Sequence, residues 1–162
     1  MANKFTLPEE AKIVTCLAPA ADAAGRTGAY VSLKNAFKAY IVAFITQGNA
    51  ATILLTPLQA SAVAGTGSKV LTANARIWAD LDAATSDALA RQTDALNFTT
   101  DAGVKNKIVV FEIDPASLDS ANGFDCIGLS TGASNAANIT SALFILTPLR
   151  YPAALPPSAV VD

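Results

Sequence analysis

Histidine is absent from all 162 residues, and with it go the usual general base, the Ser-His and Cys-His nucleophile systems and the commonest transition-metal ligand. Charge is scarce as well. Lys, Arg, Asp and Glu together make up 15% of the chain, against roughly 25% in ordinary soluble domains, so polar surface has to come from Ser, Thr, Asn and Gln. A surface with so few charges does little to repel a neighbour, which is a first pointer to assembly. The formal net charge of −2 offers no field for nucleic acid, whose binding depends on Lys and Arg neutralising phosphates. No apolar run approaches the roughly 20 residues that span a bilayer, and Met-Ala-Asn-Lys-Phe at the start lacks the apolar stretch of a signal peptide. Synthesis in a cytoplasm, with neither a nucleic-acid nor a membrane partner, is the expectation. Cys16 and Cys126 are the only cysteines, and in a reducing compartment they read as buried small hydrophobes rather than a bridge.

What the chain does have is β-sheet chemistry. Short runs rich in branched and aromatic residues are punctuated at close intervals by Gly, Pro, Asn and Asp, and helical periodicity is nearly absent. Candidate strands run over 12–17, 29–33, 38–47, 51–56, 75–81, 88–93, 95–99, 107–113, 124–130 and 139–146. The gaps are too short for the helical crossovers a parallel sheet needs, so the pattern predicts one antiparallel β-sandwich, with a jelly roll as the preferred form. The segment 58–64 reads equally as a short helix or a bent strand. In the run 38–47, Ala39, Ile41, Ala43 and Ile45 share one face and Tyr40, Val42 and Phe44 the other. In 139–146, Phe144 and Leu146 face one way and Leu143 and Ile145 the other. Strands apolar on both sides are central ones, covered on both faces by their own domain or by a neighbouring subunit. The sandwich core is assigned to 29–148, with 1–28 supplying an N-terminal arm and the first strand. Residues 149–162 form a C-terminal arm whose Pro152, Pro156 and Pro157 favour extended backbone.

The residues that might carry chemistry are few. Asp80, Asp82 and Asp87 form the densest acidic group, but a solvated polar edge accounts for them better than paired carboxylate catalysis, and they lack the glycine and distal glutamate of an EF-hand loop. Gly65-Thr66-Gly67-Ser68-Lys69 lacks the spacing of a phosphate loop, which wants four residues between its first glycine and a Gly-Lys pair, and reads as a flexible turn. Asn97-Phe98-Thr99 and Asn138-Ile139-Thr140 match the glycosylation pattern, which matters only in a secreted eukaryotic chain. Trp78 reads as a core or subunit-contact aromatic. No catalytic residue, cofactor or metal is expected, and the chain is expected not to be an enzyme. The candidate contacts to other subunits lie in the C-terminal arm at Tyr151, Leu155 and Val160.

Several stretches resemble a family of small virion proteins of tailed phages: Ala29 to Ala36 (Ala-Tyr-Val-Ser-Leu-Lys-Asn-Ala), Ile45 to Thr52, Asn106 to Pro115, Gly123-Phe124-Asp125 leading into Leu129 to Ile139, and Leu149-Arg150-Tyr151-Pro152. The resemblance covers most of the chain from Ala29 onward, and none of these stretches is a catalytic motif. It implies a head-decoration, or cement, protein with a jelly-roll or related β-fold. Such proteins are often trimers at capsid symmetry axes, partnered by the major capsid protein on the exterior of the virion head. Two other readings stand beside it: a tail or neck subunit of a tube or connector, and a carbohydrate-binding adhesion module, for which Trp78 is the residue to test.

Overall fold

The computed structural model describes residues 5–161; Met1 to Lys4 of the expected N-terminal arm, and Asp162, lie outside the described residues. Two antiparallel sheets form a sandwich. The first contains β1 (Lys12–Ala21), β4 (Ala39–Gln47), β7 (Arg76–Asp80), β8 (Ala90–Arg91), β10 (Asn106–Ile113) and β12 (Asn138–Leu146), in the order β1-β12-β4-β10-β7-β8. The second contains β2 (Arg26–Thr27), β5 (Leu54–Ala60), β6 (Lys69–Val70) and β11 (Cys126–Thr131), in the order β2-β11-β5-β6, with β3 (Val31–Ser32) beside β11 and β9 (Phe98–Thr99) beside β5.

The pairing is nested. The first long strand pairs with the last (β1 with β12), β2 and β3 pair with β11, β4 pairs with β10, and β5 pairs with β6. A hairpin rolled over two sheets in this way is a jelly roll, and β7 and β8 widen its first sheet beyond β10. Between the sheets lie Ile41, Ile45, Phe111 and Phe144 from one side and Leu55, Ile127 and Leu129 from the other, all fully buried.

Three differences from the sequence reading have local causes. The segment 58–64 is strand as far as Ala60 and then turn. Pro57 is tolerated in β5 because on one flank it falls between the residues that pair with β9 (Leu54, Leu55) and those that pair with β6 (Leu58, Gln59), where no ladder needs its missing N–H. Strand β1 runs past Leu17 to Ala21 with register shifts on either side of Leu17; Pro19 fits because β1 is an edge strand. The N-terminal arm holds one helical turn, α1 (Leu7–Glu10), with Pro8 and two acidic residues in its first turn, where fixed φ and negative charge both favour a helix start.

Lys107 is fully buried, although it is charged. Its ammonium donates to Gln47 Oε1 at 2.8 Å, to the Asp101 carbonyl at 3.0 Å and to the Asp101 carboxylate at 2.5 Å. Gln47 Nε2 donates to the carbonyls of Ala51 and Asp101, and Thr100 Oγ1 donates to Gln47 Oε1. The network ties the 51–53 and 100–101 loops to the ends of β4 and β10. At the same end of the sandwich, beside β1, buried Asp22 accepts from Arg26 and from the hydroxyls of Thr131 and Thr140. Among the described residues no buried side-chain nitrogen or oxygen lacks a partner, as such groups must not in a low-dielectric interior.

Two measurements check this account. Phe111→Ala, which empties a fully buried site, is expected to cost about 3–5 kcal/mol in chemical denaturation. The Asp101 carboxyl is held below its ordinary value of 3.8, first by the Lys107 hydrogen bond. A depressed acid contributes stability above its unfolded pKa and loses it as pH falls through the folded one. The stability difference between wild type and Lys107→Met should therefore shrink as pH drops from about 5 to about 2; a difference that stays constant over that range would exclude the pair as its source.

Candidate assembly surface

The two faces of each central strand meet different surroundings. In β4, alternate residues from Ala39 to Gln47 point into the sandwich and are buried, while Tyr40, Val42 and Phe44 point outward and are half-buried or exposed. β12 repeats this, with Phe144 and Leu146 inside and Leu143 and Ile145 outside. The strand registers bring the outward residues into rows. One row reads Ile13, Ile145, Tyr40, Glu112, Arg76. The next reads Thr15, Leu143, Val42, Val110, Trp78, Arg91, and a third Ser141, Phe44, Ile108, Asp80. Ile13, Phe44, Leu143 and Ile139 are 48%, 44%, 43% and 41% exposed. The outer face of the sheet is thus apolar over its middle strands, β12, β4 and β10, with Arg76, Asp80 and Arg91 along the β7–β8 side.

Glu112 is the one carboxylate in the middle of the first row, and it is matched: Lys38 donates to it at 2.5 Å and Arg76 lies 3.5 Å away. Trp78 carries the guanidinium of Arg91 over its ring at 4.9 Å, held there by the Ile77 carbonyl and an ion pair to Asp94. A shallow groove of about 370 Å³ between Tyr40, Trp78, Leu89 and Val110 lies beside it. A sugar platform needs an open aromatic face, whereas this indole face is already occupied by a cation.

The second sheet is covered by its own chain. Tyr30 lies across Gly128 of β11 so closely that a Cβ there would fall 2.6 Å from its ring. The phenol shares a 2.5 Å hydrogen bond with Ser68. Tyr30, Ala60 and Cys126 form a second small core there, with Leu58 and Val63 packed against it. The Gly65 to Lys69 turn belongs to this cover: Gly65 adopts a left-handed φ of 78° against the Tyr30 ring, and Lys69 pairs with Asp119 at 2.5 Å while lying over Phe124. Its lysine is engaged within the domain and its glycines serve a turn.

The C-terminal arm runs back over the same subunit. Arg150 N–H donates to the Asn35 carbonyl, Ala153 N–H to Glu9, Lys12 Nζ to the Pro156 carbonyl at 2.6 Å, and Ser32 N–H to the Ala159 carbonyl. Pro156 and Ala159 are buried anchors. Tyr151, Leu155 and Val160 point away from the domain, 62%, 90% and 52% exposed. Leu155 lines a groove with Ile13, so this candidate contact continues the apolar sheet face; Val160 lies where the arm reaches Ser32, at the second sheet.

The acidic group assembles only in part: Asp80 and Asp82 line one depression with Asp101 and Lys105. Asp80 accepts from the Asp82 N–H, Asp82 pairs with Lys105, which holds its carboxyl below the usual range, and Asp87 stands apart in the irregular segment after the 83–85 turn. Among the described residues no group of three or more His, Cys, Asp or Glu could hold a metal. Asn138 is fully buried and donates to Ala51 and Ser134, which closes that glycosylation pattern to any modifying enzyme. The sequence reading missed Lys107 and Asp22 as buried charges. For Lys107 the signal was there: it shares strand parity with Val109, Phe111 and Ile113. Asp22 gave none.

Both cysteines are buried and unbridged, and burial pushes the Cys16 thiol up to about 12. A thiolate is the reactive form, so Cys16 is expected to resist a thiol reagent at pH 8 in the native protein and to react once the chain is denatured; rapid native labelling of Cys16 would show that this corner of the core opens.

No family model and no curated protein matches the chain. Among solved structures, the SPBc2 prophage-derived protein YomS is similar over 84% of this chain and 91% of that chain, at 10% sequence identity and a TM-score of 0.46.

Proposed function

We propose that this chain is a structural subunit of a tailed-phage virion, a head-decoration protein that binds the outside of the expanded shell and bridges neighbouring capsomers. The observation that carries the assembly reading is the uncovered apolar face of the first sheet on a domain whose other sheet is covered. Exposed apolar patches of this extent mark interaction surfaces in soluble proteins. The phage assignment rests on the stretches of resemblance from Ala29 to Pro152. The mechanism is linkage: a subunit that binds only the assembled, expanded shell stabilises that state by mass action. Self-association would bring several weak contacts to bear together. Shell contact is assigned to the outward residues of the C-terminal arm, Tyr151, Leu155 and Val160. The arm is already seated on its own domain, so little ordering cost remains to be met on docking. The domain acts by binding, without catalysis; hydrolytic turnover lost on replacing Asp80 or Asp82 would reverse that assignment.

Cryo-electron microscopy of the parent particle tests the reading. Density for this jelly roll is expected on the outside of the head at capsomer junctions, with the C-terminal arm against the shell. Density in the tail or neck would move the protein to a tube or connector. In a binding assay with expanded heads, Leu155→Glu is expected to lower occupancy at least tenfold, corresponding to about 1.4 kcal/mol, without changing the melting temperature; full occupancy by that variant would remove the arm from the contact.

A further inference from the structure

We infer that the outer face of the six-stranded sheet is covered by the same face of a second copy of this chain. The inference deepens the assembly reading above and rests on it, but it does not require a phage head. Three properties of the surface select this occupant over others.

The first is size. The face spans the five strands β1, β12, β4, β10 and β7, which at about 4.8 Å per strand is about 24 Å across. Ile139 and Ile145 on β12 mark its length, about 20 Å at about 3.4 Å per residue. The flat footprint is then about 500 Å², or about 1,000 Å² counted on two copies, the lower bound for a specific interface before the corrugation of the side chains is added. The second is charge. Two carboxylates fall in the rows that pair across these strands: Glu112 is matched by Lys38 and Arg76, and Asp80 is buried and accepts from the Asp82 N–H. Two copies therefore meet without repulsion between carboxylates, and the middle of the face, on β12 and β4, presents no charge. The third is shape. Sheets pack face to face about 10 Å apart with their strands aligned when their twists match, and a second copy presents the same twist. Like faces related by a two-fold axis close at two copies, with Phe44, Leu143 and Val42 at the centre of the contact.

Sedimentation equilibrium of the purified full-length chain is the test, with Leu143→Glu and Phe44→Glu beside wild type. These side chains are half-exposed in the single subunit, so the substitutions leave its core intact, which circular dichroism and the melting temperature will verify. The expected result is a two-chain mass for wild type that halves in both variants. A one-chain mass for wild type at the highest concentration reached overturns the inference. So does a three-chain mass, or a two-chain mass that persists in both variants. Hydroxyl-radical footprinting of wild type across a dilution series gives the same answer without mutation: Phe44 and Leu143 are expected to gain labelling as the mass falls, and constant labelling would count against the contact. Head binding separates the two proposals. A two-chain protein that does not bind expanded heads removes the decoration role and leaves this contact standing, whereas a one-chain wild type that binds heads does the reverse.

Discussion

A two-sheet sandwich has one interior, and the middle strands of this chain carry two apolar faces each. That mismatch governs the rest. Ile41, Ala43, Ile45 and Phe144 fill the space between the sheets, and once they do, Tyr40, Val42, Phe44, Leu143 and Ile145 have no place inside the same subunit. Nesting fixes which strands are affected: because the first long strand pairs with the last and both flank β4 through β12, the most apolar segments end up side by side in one sheet. Their second faces then merge into one surface.

The edges show that this exposure is selective. β1 is a long edge strand, the type of element that invites uncontrolled pairing. Here its free groups are answered: Ala29 N–H donates to the Cys16 carbonyl, Arg26 reaches the carbonyls of Ala18 and Ala20, and Lys12 holds the C-terminal arm alongside. Asp22 keeps the Arg26 guanidinium in place from inside the fold. The opposite edges are short strands, β8, β2 and β6, of two residues each. Strand addition is thus blocked along these edges, while the face of the first sheet stays open.

Much of the fold was legible because period-2 alternation survives burial on one side. The runs 38–47, 107–113 and 139–146 fall within a residue of the strands' limits for that reason, and beyond β10 the chain turns in a 3-10 segment, Pro115–Ser117, with the Asp114 carboxylate accepting from Ala116 N–H. The two-residue strands β2 and β6 were not legible, since two residues carry no periodicity and owe their pairing to longer neighbours. Strand β5 was misplaced by several residues because Pro57 reads as a breaker in isolation and is harmless only beside a gap in the sheet. For the surface, sequence showed that β4 and β12 were apolar on both sides, but it could not show whether the second side was covered from within. That depends on where the loops travel, a property of the whole fold.

Loop placement is the last step in the argument for function. The connecting segments that close over a sheet lie on the second one. Tyr30 and the turn around Gly65 close the second sheet at a steric cost met by glycine at 65 and 128, and they build a separate small core to do it. Over the first sheet no comparable cover exists among the described residues, and the acid in the middle of its first row, Glu112, is neutralised in place by Lys38 and Arg76. A chain short of charge and rich in small apolar residues would show bare patches on both sides if composition alone were the cause. The wider bareness of the first sheet, with Glu112 on it matched and the adjacent β1 edge protected, is what supports the proposal that a partner covers it.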